Sequence, residues 1–362
     1  MLIAVVVAVV LAASNLIVSS ILGLGDAEAL YACYGRHLQP SYLNHPPLIG
    51  WLVFLFGSIF GDSVLAVRAV SLLLTPLALL FGFLLTRDLF GERAAAWSSL
   101  LLLATPMFSV GMVAATPDVP LVVLWLLFVW QLNRALSVAE PVGSWQKLGR
   151  PALLGAVLGL AFLSKYTGAF LAVTALFAVA GPTGRVWLKR PGFWIGALIA
   201  AVVAAPVLIW NSSHGWAGVL QRLVWTQDSA GFSLRNVGSL LGGQLLYAGP
   251  LTLVLFVWGG LAIWKQRKAR PAPMVLIAAS IPALAATYLL ILWSDVAEPH
   301  WPAPGYLPLV VAAAGLLASR EGWPRRLARC AVGLGVVVLL VAHVLVLSPL
   351  LPRLSGESYR PE

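Results

Sequence analysis

Charge is what this 362-residue chain has least of. Only 36 residues are Asp, Glu, Lys or Arg, and just 13 of them are acidic. About a quarter of an average soluble domain is charged. At 60% hydrophobic content and a mean hydropathy of +0.92, a water-facing surface cannot be built. Cysteine is nearly missing as well: Cys33 and Cys330 are the only two, so a disulfide framework is excluded, and no Cys/His spacing marks a zinc site. Internal repeats and linkers are absent too. The chain therefore reads as one membrane domain, 1–350, followed by a short tail, 351–362.

What is present is a recurring apolar run of about 20 residues, the length that crosses a ~30 Å hydrocarbon core as a helix. In lipid every backbone group must be satisfied internally, which favours helices for unbroken runs. The expected fold is all-α and polytopic. About eleven spans are expected, at 2–24, 64–86, 94–114, 119–134, 151–164, 166–182, 192–210, 237–263, 273–293, 302–319 and 327–349. Leu2–Leu24 lacks a basic start and a cleavage site, so it reads as a retained helix rather than a signal peptide.

With the N-terminus in the cytoplasm, sixteen of the 23 basic residues fall in cytoplasmic loops, against four acids there. That is the positive-inside pattern. It assigns the net charge of +10 to topology and anionic headgroups, and argues against nucleic acid. The opposite side collects Asp26, Glu28, Asp62, Asp118, Asp228, Asp295 and Glu298, and the two cysteines lie on opposite sides and cannot pair. Acids beside apolar spans are costly and tend to be functional.

Two outer segments exceed a turn. In residues 25–63, Ala27–Leu38 reads as an interfacial helix and Leu48–Phe60 is too short to span upright. The other is Asn211–Asn236, with His214, Trp216 and Trp225. Five constellations follow. Asp26 and Glu28 read either as a general base with a partner or as helix N-terminal acids. They could also hold a divalent metal, although no His/Cys set enforces one, and no cofactor is required. His45, in Asn44-His45-Pro46-Pro47, could donate to a phosphate, move a proton, or be a loop histidine. Asp118, between Pro117 and Pro120, caps a helix or faces a wet cavity. Lys165 and Arg68 stand on the acidic side against the positive-inside trend. They could hold a lipid phosphate or pair with Asp62 or Asp118. Glu298 and His300 sit at another outer span end, followed by Trp301-Pro302-Ala303-Pro304, and His343 reads as a packed mid-span residue.

Taken in order, these pieces resemble the polytopic glycosyltransferases of the GT-C superfold. The resemblance is to the bacterial branch related to protein O-mannosyltransferases and lipid A aminoarabinose transferases. It covers about residues 20–320 and rests on Glu28-Ala29 with Tyr31, His45-Pro46-Pro47-Leu48, Gly61-Asp62-Ser63 with Arg68, and Thr116–Pro120. Leu163–Thr167, Pro206–Asn211 with His214-Gly215-Trp216, and Glu298 with Trp301–Pro304 continue it. The family places Asp directly before the Glu, whereas here that position is Ala27. The larger outer domain of some relatives is not expected from this sequence.

The resemblance implies juxtamembrane helices in an outer catalytic loop, 25–63, over a cavity. It also implies a polyprenyl-phosphate sugar donor in a bacterial inner membrane, with the site facing the periplasm. A glycan, lipid or protein would be the acceptor, through a hydroxyl or a phosphate, with inversion at the anomeric carbon. On this reading Asp26, with Glu28 second, takes the acceptor's proton. Lys165, Arg68 and His45 hold the leaving phosphate, and Asp118, Tyr166, Glu298 and His300 contact sugar or acceptor. A lipid-linked sugar transporter and a non-catalytic assembly subunit are the rival readings.

Overall fold

The computed structural model describes residues 2–138, 143–180, 184–227, 230–267, 271–294 and 298–347. Glu140, Asp228, Asp295 and the tail 351–362 lie outside the described residues. Every regular element among the described residues is helical, as apolar runs in lipid require.

Helix α1 (Leu2–Ile21) leads into two short helices, α2 (Asp26–Arg36) and α3 (Leu48–Phe60), and then a long one, α4 (Val64–Phe90). Helix α5 (Glu92–Ala104) stops at Thr105-Pro106, and a single turn, α6 (Pro106–Ser109), follows. The expected span 94–114 therefore ends about ten residues early, because Pro106 cannot continue the α5 ladder. Helix α7 (Asp118–Leu136) carries Trp125 and Phe128, both fully buried. A π turn, Trp145–Gly149, opens α8 (Arg150–Ser164), and a 3₁₀ turn, Tyr166–Ala169, joins it to α9 (Phe170–Ala180).

The second half begins with α10 (Arg185–Leu188), α11 (Pro191–Ser213) and α12 (Ala217–Leu220), which runs into a π turn, Gln221–Trp225. The expected span 237–263 is broken. Helices α13 (Leu234–Tyr247) and α14 (Pro250–Gln266) meet at 93°. Gly249, at φ +84, adopts a conformation that favours glycine, and Pro250 then starts a new helix. Helices α15 (Pro271–Trp293), α16 (Ala303–Ser319) and α17 (Trp323–Leu347) complete the bundle.

Among the described residues, six helices are long and apolar enough to cross a membrane, or seven if α13 and α14 count as one span. Several other expected spans are real helices but shorter. Helix α16, at 17 residues, is apolar on every side and almost wholly buried, the mark of a central core helix. Helices α8 and α11 approach closely over small residues: a Cβ on Gly155 would sit 1.9 Å from the Gly196 carbonyl oxygen. Small residues at such a crossing let backbones pack where no hydrophobic drive operates.

Candidate active site

Chain direction gathers the site at one end of the bundle. Asp118 opens α7, which ends near Arg134, and Lys165 follows α8, which begins at Arg150. The basic loops thus cap the opposite end. Pro117 precedes Asp118, and its carbonyl accepts from the Ser164 hydroxyl at 2.6 Å, tying the end of α8 to the start of α7. Lys165 leaves the helix in extended conformation (φ −154, ψ 142). Its Nζ then reaches both Asp118 carboxylate oxygens, at 2.8 and 2.9 Å. Their side chains are only 10% and 19% exposed. Of the alternatives open in the sequence, Lys165 therefore takes the pairing with Asp118.

His300 stands on the other side of that pair. Its Nε2 is 3.6 Å from Asp118 Oδ2, and its Nδ1 is 3.9 Å from Glu298 Oε2, on a side chain 61% exposed. A buried polar bracket holds this turn. The Tyr288 and Tyr306 hydroxyls are hydrogen-bonded to each other, Tyr306 donates to Gln244 Oε1, and Gln244 Nε2 donates to the Pro299 carbonyl at 2.8 Å. Burial holds the His300 pKa below its ordinary value even though Asp118 and Glu298 pull it up. The imidazole is therefore harder to protonate than one in water.

Arg222 reaches in from the Gln221–Trp225 turn. That turn is aimed by two consecutive left-handed residues, Gly215 and Trp216, after α11. Its Nη2 donates to the Asn44 carbonyl at 2.8 Å and lies 3.2 Å from His45 Nε2. An arginine only donates, so His45 Nε2 is an acceptor and the ring is neutral. Burial, then the charges of Arg222 and Lys165, push the His45 pKa down to about 3. His45 thus orients Arg222 rather than presenting Nε2–H to an anion, a correction to the expected phosphate contact. Tyr31 packs edge-on against it, with ring centroids 5.7 Å apart.

Lys165, Arg222 and His45 line a cavity of about 360 Å³. Its apolar flank comes from Phe162, Val207, Leu208, Leu223 and Leu290. Tyr166, Thr167, Asn211 and Gln227 supply neutral polar groups, and Trp216 and Trp301 aromatic ones. Arg222 was not singled out by sequence reasoning. The signal was there: it is one of seven basic residues outside the cytoplasmic loops.

Three expected site residues, Asp26, Glu28 and Arg68, sit elsewhere. Glu28 and Arg68 form a buried bidentate pair, with Arg68 Nε to Oε1 at 2.9 Å and Nη2 to Oε2 at 2.7 Å. The remaining Arg68 donors go to the carbonyls of Leu22 and Gly23, at 3.0 and 2.7 Å, with a longer contact to Val18. Arg68 has nothing left for a phosphate. The Glu28 oxygens also accept from the backbone N–H groups of Ala115 and Gly25, each at 3.1 Å. Burial alone would raise the Glu28 pKa, but Arg68 and these two N–H groups outweigh it and hold the carboxyl below its usual value. A carboxylate surrounded by donors is a poor base and a poor metal ligand, so Asp26 with Glu28 does not fit a divalent cation. Among the described residues no cluster of three or more His, Cys, Asp or Glu offers another such site. Asp26 is exposed in the first turn of α2, whose N-cap is Gly25 rather than Asp26. Asp62 pairs with Arg36, not with Lys165 or Arg68.

Comparison with known proteins agrees with this architecture. Residues 44–210 match the family model described as dolichyl-phosphate-mannose-protein mannosyltransferase. Lipid A galacturonosyltransferase RgtD of Rhizobium johnstonii is 25% identical over 313 residues, covering 83% of this chain and 61% of that protein. An undecaprenyl phosphate-alpha-4-amino-4-deoxy-L-arabinose arabinosyl transferase of Pseudomonas fluorescens is 30% identical over 184 residues, 48% of this chain and 30% of that one. Among solved structures, ArnT from Cupriavidus metallidurans bound to undecaprenyl phosphate superposes with a TM-score of 0.62 at 19% identity. That match covers 94% of this chain and 63% of ArnT. The oligosaccharyltransferase of Archaeoglobus fulgidus gives a TM-score of 0.58 at 16% identity, over 99% of this chain and 56% of that one. The chain thus spans less than two thirds of the length of these relatives. The resemblance read from the sequence is borne out: this is a GT-C fold, related to the ArnT-like and galacturonosyl transferases.

Proposed function

We propose that this GT-C chain moves a monosaccharide from a polyprenyl-phosphate donor to a hydroxyl or phosphate acceptor, at the outer face of a bacterial inner membrane. The observation that carries the proposal is a cavity with one apolar flank and two cations, Lys165 and Arg222, at the bundle end away from the basic loops. That combination suits an amphiphile with an anionic head. A prenyl chain would lie along Phe162, Leu208 and Leu290, and its phosphate would meet Arg222 and Lys165. The activities for which RgtD and the arabinosyl transferases are named support the same class.

The chemistry is a single displacement. An acceptor oxygen attacks the anomeric carbon, the bond from that carbon to the phosphate oxygen breaks, and the lipid phosphate leaves with the electron pair. The anomeric centre inverts. Charge grows on the leaving phosphate, and preorganised donors there stabilise the transition state most. For a hydroxyl acceptor the proton must go to a base. The proposal moves that role from Asp26 to Asp118, because Asp118 is the carboxylate held beside the cavity cations. Lys165 is then shared. When the donor phosphate draws its ammonium away, Asp118 loses its partner and gains basicity, which couples donor binding to base activation. His300 and Glu298 offer the proton a way out to solvent. A phosphate acceptor would need no base.

The test compares Asp118→Asn with Asp26→Asn in transfer from a polyprenyl-phosphate sugar, following release of polyprenyl phosphate. The expected result is a loss of about 10²–10⁴-fold in turnover for Asp118→Asn, retained donor binding, and near wild-type activity for Asp26→Asn. The reverse ranking returns the role to Asp26.

A further inference from the structure

The basic end of the bundle, away from the donor cavity, has a cavity of its own. It measures about 350 Å³ and lies between the last turns of α14 and α16. Trp258, Leu261 and Ala262 of α14, with Leu316 of α16, give it an apolar wall. Lys265 and Gln266 from α14, and Ser319 and Arg320 from the end of α16, form a polar rim. Spacings of three and four put Trp258, Leu261, Ala262 and Lys265 on one face of α14. Leu261 on that face is exposed, which in a membrane means toward lipid. Trp258 stacks on Trp323 of α17, with ring centroids 4.5 Å apart. Tryptophan favours the headgroup depth of a bilayer.

A basic residue at a helix C-terminus has an ordinary duty, which is to meet the terminal carbonyls. Here other arginines perform it. Arg267 donates to the Trp264 carbonyl at 2.7 Å, and Arg325 to the carbonyls of Leu317 and Ala318 at 3.0 and 3.3 Å. The one acid in the loops beside the cavity, Glu321, is paired with Arg325 at 2.8 Å. The side chains of Lys265 and Arg320 have no hydrogen bond or ion pair among the described residues. Two like charges thus share one cavity without a counter-charge, and an anion between them relieves their repulsion.

We infer that this cavity binds one anionic phospholipid, from the leaflet opposite the donor site. Its phosphate sits between Lys265 and Arg320, its glycerol oxygens meet Gln266 and Ser319, and an acyl chain follows Leu261, Ala262 and Leu316. Basic recesses between helices at a membrane face suit lipid phosphates. The pairing of charge with an apolar wall selects this occupant. A free phosphate would leave the wall bare, and a zwitterionic lipid would bring its own cation to a site that already has two. A lipid held there bridges the ends of α14 and α16. The inference stands apart from the donor reading above.

The experiment follows lipid binding to the full-length protein by native mass spectrometry after detergent exchange. Phosphatidylglycerol and phosphatidylcholine with the same acyl chains are titrated in turn, and excess inorganic phosphate is then added as the anion without a chain. One phosphatidylglycerol should bind at least about tenfold more tightly than phosphatidylcholine and resist inorganic phosphate. A cation near the membrane surface confers about fivefold in affinity for an anionic lipid, so Lys265→Ala with Arg320→Ala should weaken phosphatidylglycerol about 30-fold. Lys265→Arg with Arg320→Lys keeps both charges and should keep the binding. Arg93→Ala with Lys189→Ala removes the same charge from exposed positions at the same end of the bundle, and should change nothing. Equal binding of the two phospholipids, displacement by inorganic phosphate, or the same loss in the Arg93 and Lys189 control overturns the inference. The attraction would then be apolar, a free-anion site or diffuse, respectively.

Discussion

At the scale of single residues, the decisive observation is which charges are spent on structure and which are kept at the cavity. Glu28 and Arg68 are spent: their side chains are 4% and 5% exposed, and together they fasten α2 to the end of α1, to α4 and to the 110–117 segment. Breaking one side of such a buried pair costs about 3–5 kcal/mol. Glu28→Gln and Arg68→Ala should therefore lower thermal stability in detergent, and Arg68→Lys should not rescue it, because the fork geometry is lost. The Glu28 contribution follows pH in a fixed direction. Its folded pKa lies below the unfolded one, so the stabilisation is present above the unfolded value and is lost as pH falls through the folded value. His45 behaves in the same sense for a different reason. Its pKa falls from 6.5 to about 3 on folding, so below 6.5 the unfolded chain binds a proton that the folded one refuses. Stability should decline between about pH 6.5 and 3, and a His45→Gln melting series should lose that part of the slope.

The sequence revealed each of these residues except Arg222 as a candidate, but it did not reveal the partners. Arg222 and His45 are 177 residues apart, and Arg68 and Glu28 are 40 apart. Pairing over such distances is decided by how helices pack, not by local spacing. The sharpest case is the expected phosphate contact from Arg68. Its position against the positive-inside trend was real, but the ligand it needed was already in the chain. Arg222→Ala, by contrast, should cut turnover by about 10²–10³-fold, the scale for removing a donor to developing charge, while leaving the fold intact.

At the scale of elements, helix type was legible almost everywhere and length was not. Leu48–Phe60 is a helix with the expected bounds, and Ala27–Leu38 is Asp26–Arg36 within two residues. Apolar composition persists across a break, so hydropathy alone runs α13 into α14 and carries α5 past Pro106. The Gly249-Pro250 pair was the local signal that hydropathy overrode. The α8–α11 crossing depends on the absence of side chains at Gly155 and Gly159, where a Cβ would meet the Gly196 carbonyl and Val203. Gly155→Leu should drive those helices apart at a cost of about 1–3 kcal/mol, the usual scale of overpacking. Both helices carry cavity residues, Phe162 and Lys165 from the α8 end and Val207 and Asn211 from α11. The same substitution should therefore weaken donor binding without touching the site, as paired melting and native mass-spectrometry measurements would show.

At the scale of the whole molecule, the account joins sidedness to chemistry. The bundle end opposite the Lys/Arg loops gathers Asp118, Lys165, His45, Arg222 and His300, and Lys165, His45 and Arg222 line one cavity there. Sidedness can be read from Cys33, exposed on α2. In a Cys330→Ser background it should react with a membrane-impermeant maleimide in intact spheroplasts; labelling only after permeabilisation would invert the topology. The central claim is chemical, and one measurement reaches it most directly. Purified protein would be incubated with a panel of polyprenyl-phosphate sugars and an extract of membrane lipid and glycan, and followed by mass spectrometry for both products. The account predicts release of polyprenyl phosphate matched by one added sugar on an acceptor, abolished in Arg222→Ala and Asp118→Asn if that acceptor reacts through a hydroxyl. Firm donor binding without transfer to any acceptor, or transfer that survives Arg222→Ala, would contradict it.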